Sequence, residues 1–396
     1  MGYRKFKAEG LFTGRELLDS DSVLVTGDTG IIESILPAED SGPGVEVFNG
    51  ILCPGFINCH CHLELSHMKG IIPERTGLID FLLSVIRQRE AEPGMIAAAI
   101  QRAEEEMRQN GIVAVGDICN TAHTLAQKKR RALYYHNFIE TTGFLEAMAG
   151  ERFQSGLDLF DRFAAGLDFP SRSNSIVPHA PYSVSKNLFG LISRFPLNEI
   201  ISIHNQESPA ENSFFQEAKG DFLRLYQNLG LDISFFHPTG KRSLENYLPF
   251  FREQRSVILV HNVDTNAADL DFASGFTGPS GSIFFCICPN ANLYIGGQLP
   301  DLALFSRKGC RIVIGTDSLA SNQGLSILEE LKTIEGFFNG ISLPTLLGWA
   351  TLNGAESLGI ESFAGSFEPG KKPGVLLIEN TGEKSLGKHA RCRRLL

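Results

Sequence analysis

Two histidines with one residue between them, His60 and His62, close the apolar segment Pro54-Gly-Phe-Ile-Asn-Cys-His-Cys-His62. Alternate side chains of a β-strand turn to opposite faces, so the two imidazoles share a face and can chelate one divalent ion. Cys59 and Cys61 then point to the other face, where a small thiol packs well, and are read as packing residues rather than ligands. An isolated His-x-His pair is a weak signal. It gains force from the polar residues that end other apolar runs: His179, His204, His261 and Asp317. Five of the ten histidines hold such positions.

Each of these residue types suits a role at a metal. Neutral imidazole is a good ligand for zinc or iron, which makes His204 a candidate beside His60 and His62. Glu207 follows three residues later. A carboxylate there could move protons between a bound water and a leaving group; alone, it would read as a surface loop glutamate. Asp317 directly follows an apolar run and must be satisfied by a metal, a partner or water. It is a candidate ligand and proton acceptor, with a helix N-cap as the plain alternative. His261 could be a fifth ligand or a hydrogen-bond partner of a bound hydroxide. His179, in Pro178-His-Ala-Pro-Tyr182, suits substrate contact. His67 and His237 lie in loops, where a surface or supporting role is expected. Asp117 and Glu140 end two further apolar segments.

The elements that must position these residues alternate along the chain. Strand candidates are Gly55–His62, Ile112–Ile118, Ala132–Glu140, Ser175–Ala180, Ile200–His204, Val257–His261, Ile283–Cys288 and Arg311–Asp317. Amphipathic stretches such as Leu78–Arg89, Met95–Gln109, Asn212–Leu229 and Leu325–Phe338 separate them. Eight strands alternating with helices predict an α/β chain folded as a (β/α)8 TIM barrel over residues 54–358, whose functional side chains gather at the C-terminal strand ends. A doubly wound sheet is the runner-up, disfavoured because no Gly-rich phosphate loop follows an early strand. Residues 1–53 and 359–396 read as short strands with Gly, Pro and Asp turns, and predict a small β-sandwich accessory domain built from both chain ends.

Composition sets outer bounds. The 396 residues carry 36 Lys and Arg against 45 Asp and Glu, a net charge of −9. Such a chain has no electrostatic footprint for nucleic acid or an anionic membrane. The basic run Lys388–Arg394 is short and is expected to be a solvated tail. No apolar run reaches the roughly 18 residues of a membrane span, and scattered cysteines without a C-x-x-C pair fit a reducing, cytoplasmic location. A homo-oligomer is left open.

Together these residues resemble the amidohydrolase superfamily, and within it the deaminase and chlorohydrolase branch. The resemblance rests on Pro54-Gly-Phe-Ile-Asn-x-His-x-His62, His179-Ala-Pro-Tyr-Ser183, His204-x-x-Glu207, His261, Cys288-Pro-Asn-x-Asn292, Gly315-Thr-Asp317-Ser-x-Ala-Ser321 and Gly365-Ser-x-Glu-Pro-Gly-Lys371. It implies one divalent metal, zinc first with iron or manganese as alternatives, held by His60, His62, His204 and Asp317. Glu207 would shuttle protons, His261 would orient a metal-bound water and His179 would contact substrate. The fourth candidate strand lacks the lysine that two-metal relatives carboxylate, which implies a mononuclear site. The reaction implied is attack of a metal-bound hydroxide on an amino-bearing carbon of a purine-type heterocycle.

The stretch His62-Leu-Glu-Leu-Ser66 and the run Cys288–Tyr294 look like aminodeoxyfutalosine deaminases of menaquinone synthesis, which would place Glu64 at the pocket as a substrate-binding carboxylate. Asn290 and Ala291 depart from the Arg-Ser pair of many relatives, and residues 211–248 read as a pocket lid. Hydrolysis of a cyclic amide or a carbon–halogen bond on the same site is the enzymatic alternative, and a catalytically inactive barrel scaffold the non-enzymatic one.

Overall fold

The computed structural model describes residues 2–167, 173–276, 282–382 and 384–396. Both chain ends contribute to a pair of sheets. Strands Tyr3–Lys7, Ser22–Gly27, Ile32–Pro37 and Val45–Val47 form the first. Gly10–Phe12, Leu17–Leu18 and Ile51–Pro54 join Val375–Glu379 and Arg391–Arg394 in the second. Val375–Glu379 pairs antiparallel with Ile51–Pro54, setting Leu376 opposite Cys53. Period-two alternation sends Phe6 and Leu24 from one sheet, and Leu52 and Leu377 from the other, into a shared apolar cluster that Phe367 joins.

One expectation fails here. The basic run is not wholly a solvated tail, because Arg391–Arg394 is an edge strand paired with Val375–Glu379. Its alternation exposes Arg391 and Arg393 while half-burying Cys392 and Arg394. Arginine heads in solvent and on the sheet rim let such a run serve as an edge.

Eight parallel strands form two four-stranded sheets. Phe56–Cys61, Ile112–Cys119, Tyr134–Thr141 and Asn174–Pro178 make one; Ile200–Asn205, Ser256–His261, Ser282–Ile287 and Arg311–Ile314 make the other. Backbone hydrogen bonds cross both seams. His204 N donates to His179 O at 2.9 Å, and Thr316 N and Asp317 N donate to His60 O at 3.1 and 3.0 Å. Nearly every strand residue is buried, as in a parallel sheet covered on both faces. Helix Pro93–Gln109 shows how the cover forms. Its buried Ile96, Ala99, Ile100, Ala103 and Met107 recur at helical spacing, with Pro93 in the first turn and the Glu92 side chain accepting from Met95 N.

Two element bounds differ from the sequence reading. The expected helical stretch 212–229 is split into Pro209–Glu217 and Phe222–Asn228, because Ala218 and Gly220 take positive φ of 52° and 91° between them. The eighth strand ends at Ile314 rather than running to Asp317. At Gly315 a Cβ would lie 2.9 Å from the Cβ of His60 and from the Sγ atoms of Cys286 and Cys288, so only glycine lets the chain pass that close under the first strand.

A second apolar cluster caps the C-terminal strand ends. Helix Leu78–Gln88 supplies Leu78 and Phe81, and the 209–228 pair supplies Phe214, Phe222 and Tyr226. Arg224 donates to both oxygens of Asp80, at 2.6 and 3.1 Å, and ties the two halves together.

Beneath the first two strands lies a buried ion pair. Lys128 Nζ stands 2.5 Å from Asp117 Oδ2, both side chains 0% exposed, and donates to Asn137 Oδ1 at 2.7 Å. Asp117 Oδ1 accepts from Leu63 N at 2.9 Å, fixing the chain just past His62. Lys128→Met strands a carboxylate in the core and should lower stability by about 3–5 kcal/mol, read by urea unfolding.

Candidate active site

The strand ends converge their polar side chains. His60 Nε2 and His62 Nε2 are 3.2 Å apart, and Asp317 Oδ1 lies 3.5 and 3.4 Å from them. One ion at roughly 2.0–2.1 Å from each ligand in tetrahedral geometry would space the ligand atoms about 3.4 Å apart. Nitrogens of His60, His204 and His261 also lie within 4.8 Å of one another. Burial holds the imidazoles in the neutral form that a ligand requires: it pushes His62 down to about 3, His204 well below its ordinary value, and His60 downward against the pull of Asp317. Burial alone would raise the Asp317 carboxyl, but the hydrogen bond from His60 and the charges of the neighbouring histidines hold it well below the usual range.

Surrounding groups fix the His204 and His261 rings and the Asp317 carboxylate. A carbonyl accepts only, so His204 Nδ1 donates to His179 O at 2.8 Å and its Nε2 is free for an ion. His261 Nδ1 bonds Asn292 Oδ1 at 2.8 Å. Ser321 Oγ donates to Asp317 Oδ2 at 2.5 Å, leaving Oδ1 toward the histidines. His261 and Asp317 carry positive φ of 75° and 55°, and Gln206 and Asn262 beside the site 46° and 60°. Left-handed conformations at non-glycine residues store strain, and their concentration here marks a functional site. The described donor set fits a single divalent cation.

Glu207 stands beside this cluster with its Oε1 3.6 Å from His261 Nε2. Burial pushes its carboxyl up to about 7, against the pull of His261. Its loop is pinned by Glu211, whose Oε1 accepts from Gln206 N at 3.0 Å. His62, His179, His204, Glu207, His261 and Asp317 all face one cavity of about 530 Å³. Much of the wall of that cavity is apolar, with Leu78, Phe81, Phe144, Leu145, Met148 and Leu229, and Arg89 and Arg152 also line it. Leu225, Tyr226, Leu229 and Leu231 bring part of the expected lid segment 211–248 to the wall.

Glu64 does not line the cavity. Its Oε1 accepts from Arg89 at 2.6 Å, and its Oε2 from Asn120 N, Thr121 N and Thr121 Oγ1 at 3.1, 2.9 and 2.8 Å. With its acceptors occupied and 1% of its side chain exposed, it backs Arg89, which does reach the cavity. The expectation that Glu64 itself touches substrate is corrected accordingly. His67 bonds Arg89 O at 2.9 Å, and His237 is exposed. Asn290 is tied away from the cavity, its N–H to Glu330 and its Oδ1 to Thr333. Cys59 and Cys61 are buried thiols whose burial raises them far above the thiolate range, as packing residues should be. Sequence reasoning missed Arg89, Asn292 and Ser321 as individual roles. The last two lay inside quoted motifs, and Arg89 carried no signal because its partner lies 25 residues away.

Residues 51–385 match the Amidohydrolase family model. The chain belongs to the Amidohydrolase family. It is a hydrolase acting on non-peptide carbon–nitrogen bonds. Among Amidohydrolase relatives, an adenosine deaminase of Helicobacter pylori is 28% identical over 82% of this chain and 78% of its own. An aminodeoxyfutalosine deaminase of Nitratiruptor is 27% identical over 84% and 79%. The crystal structure of Helicobacter pylori aminofutalosine deaminase with methylthio-coformycin superposes with a TM-score of 0.82 at 22% identity, covering 99% of this chain and 100% of that one. A zinc complex of an atrazine chlorohydrolase from Arthrobacter aurescens gives 0.73 at 18% identity, over 97% and 89%. Among the described residues no helix is long and apolar enough to cross a membrane.

Proposed function

We propose that this chain hydrolytically deaminates an adenine-type nucleoside carrying an apolar 5′ extension, with aminodeoxyfutalosine as the leading candidate. The observation that carries this reading is the make-up of one cavity wall: a His and Asp cluster with Glu207, a set of apolar side chains and two arginines all line it. Hydrolysis of a carbon–halogen bond would leave Glu207 without a departing amine to protonate.

His60, His62, His204 and Asp317 would hold one divalent cation, zinc in this reading. When bound, that ion lowers the pKa of water and supplies a hydroxide near neutral pH. The protein's own groups do the rest. Glu207, with a carboxyl near 7, is half protonated at neutral pH and can both give and take a proton at the face where it stands. It would give its proton to the ring nitrogen and then relay the proton that Asp317 takes from the attacking oxygen to the departing amino group, which leaves as ammonia. Asp317, anionic and 3.4–3.5 Å from two ring nitrogens, accepts the proton shed by the attacking water. His261, held by Asn292, donates or accepts from one fixed direction. His179 keeps Nε2 toward the cavity because Nδ1 bonds Ser183 Oγ at 2.8 Å, which suits contact with the purine. Arg89 and Arg152, which line the same cavity, suit an anionic group on the 5′ extension, such as a benzoate.

Ammonia release from a panel of aminodeoxyfutalosine, adenosine, S-adenosylhomocysteine, guanine and a pterin tests the reading. The expected order places aminodeoxyfutalosine first in kcat/KM and guanine last. Equal turnover of adenosine and aminodeoxyfutalosine would remove the anionic extension from the assignment; no ammonia from any of them would remove deamination itself.

A further inference from the structure

On the cavity wall beside His204, one buried carboxylate oxygen has no donor among the described residues. Glu140 sits near the end of strand Tyr134–Thr141, its side chain 4% exposed. Its Oε2 accepts from Asn120 Nδ2 at 2.8 Å, while its Oε1 has no hydrogen-bond partner among the described residues. His204 Nδ1 is 3.6 Å away, but its proton is aimed at His179 O. A buried carboxyl oxygen left without a partner is costly. The missing partner must therefore come from the cavity that Glu140 lines.

We propose that Glu140 is a substrate-binding residue whose Oε1 accepts a hydrogen bond from the 2′ or 3′ hydroxyl of a sugar. This rests on the reading of the site as one for a nucleoside. Apart from the base, the donors of a nucleoside are its sugar hydroxyls, and Glu140 and Asn120 line the same cavity as Glu207 and His261. A second cation is the competing occupant, since Glu140, His179 and His204 offer ligand atoms within 4.8 Å of one another. That ion would have to displace the bond from His204 Nδ1 to His179 O. The hydroxyl displaces nothing.

The test compares adenosine with 2′,3′-dideoxyadenosine in wild type, Glu140→Gln and Glu140→Ala, with metal content measured on each protein. Losing a hydrogen bond to a charged acceptor should lower kcat/KM on adenosine by about 10–100-fold in Glu140→Ala, chiefly through KM, and by less in Glu140→Gln. On the dideoxy substrate, which lacks the 2′ and 3′ hydroxyls, wild type and variants should agree within about twofold. An equal fall on both substrates, or a fall in bound metal, overturns the assignment. Wild type that releases no ammonia from either substrate overturns the nucleoside reading, and this inference with it.

Discussion

Glu207→Gln should retain its metal and lose turnover by about 10²–10⁴-fold, the range that a positioned proton carrier contributes. The substitution preserves shape and hydrogen-bonding capacity while removing the group that titrates. In the structure Glu207 is buried, pushed up to about 7, and within 3.6 Å of His261. It makes no bond within the His60, His62 and Asp317 cluster, so metal content measured by elemental analysis should match wild type. The loss should fall on kcat with KM nearly unchanged, because the proton is needed in the transition state rather than in binding. Full activity in this variant would remove the shuttle role. Loss of metal would instead make Glu207 a ligand.

The second large effect concerns the ligand set and its supports. Asp317→Asn and His62→Ala each remove one proposed ligand and should reduce turnover to background, with metal falling below one equivalent per chain. Removing an outer partner should be milder. Asn292→Ala frees the His261 ring and Ser321→Ala frees one oxygen of Asp317; each should weaken metal affinity or activity by about 10–100-fold. Chelation of wild type followed by stoichiometric zinc should restore activity, whereas the two ligand variants should not recover at the same zinc concentration. Wild-type affinity for metal in His62→Ala would show that the first-strand pair does not bind it as proposed.

Much of this site could be read along the chain because each candidate ligand terminates an apolar run. Burial on both faces makes the strands of a parallel sheet apolar throughout, so a polar residue at a run's end stands out. His60, His62, His179, His204, His261 and Asp317 stand out in this way; the last five line one cavity, and His60 lies against His62 and Asp317. Glu140 stood in the same kind of position, yet nothing local distinguishes it from Asp117. One faces the cavity with an empty oxygen, and the other is neutralised by Lys128 beneath the first strand. Glu64 shows the reverse, since it lies two residues from His62 and still points away from the cavity.

The residue pattern by itself determined the alternation that puts His60 and His62 on one face and Cys59 and Cys61 on the other, because strand period is a property of the local backbone. It also determined which strand ends carry ligand-type side chains. Tertiary structure alone decided which carboxylates remain free. Glu64 is consumed by Arg89, Asn120 and Thr121, Asp117 by Lys128 and Leu63, while Glu140 keeps an open oxygen. Hydrogen bonds between residues 9 to 57 positions apart are closed by packing, which local spacing does not record.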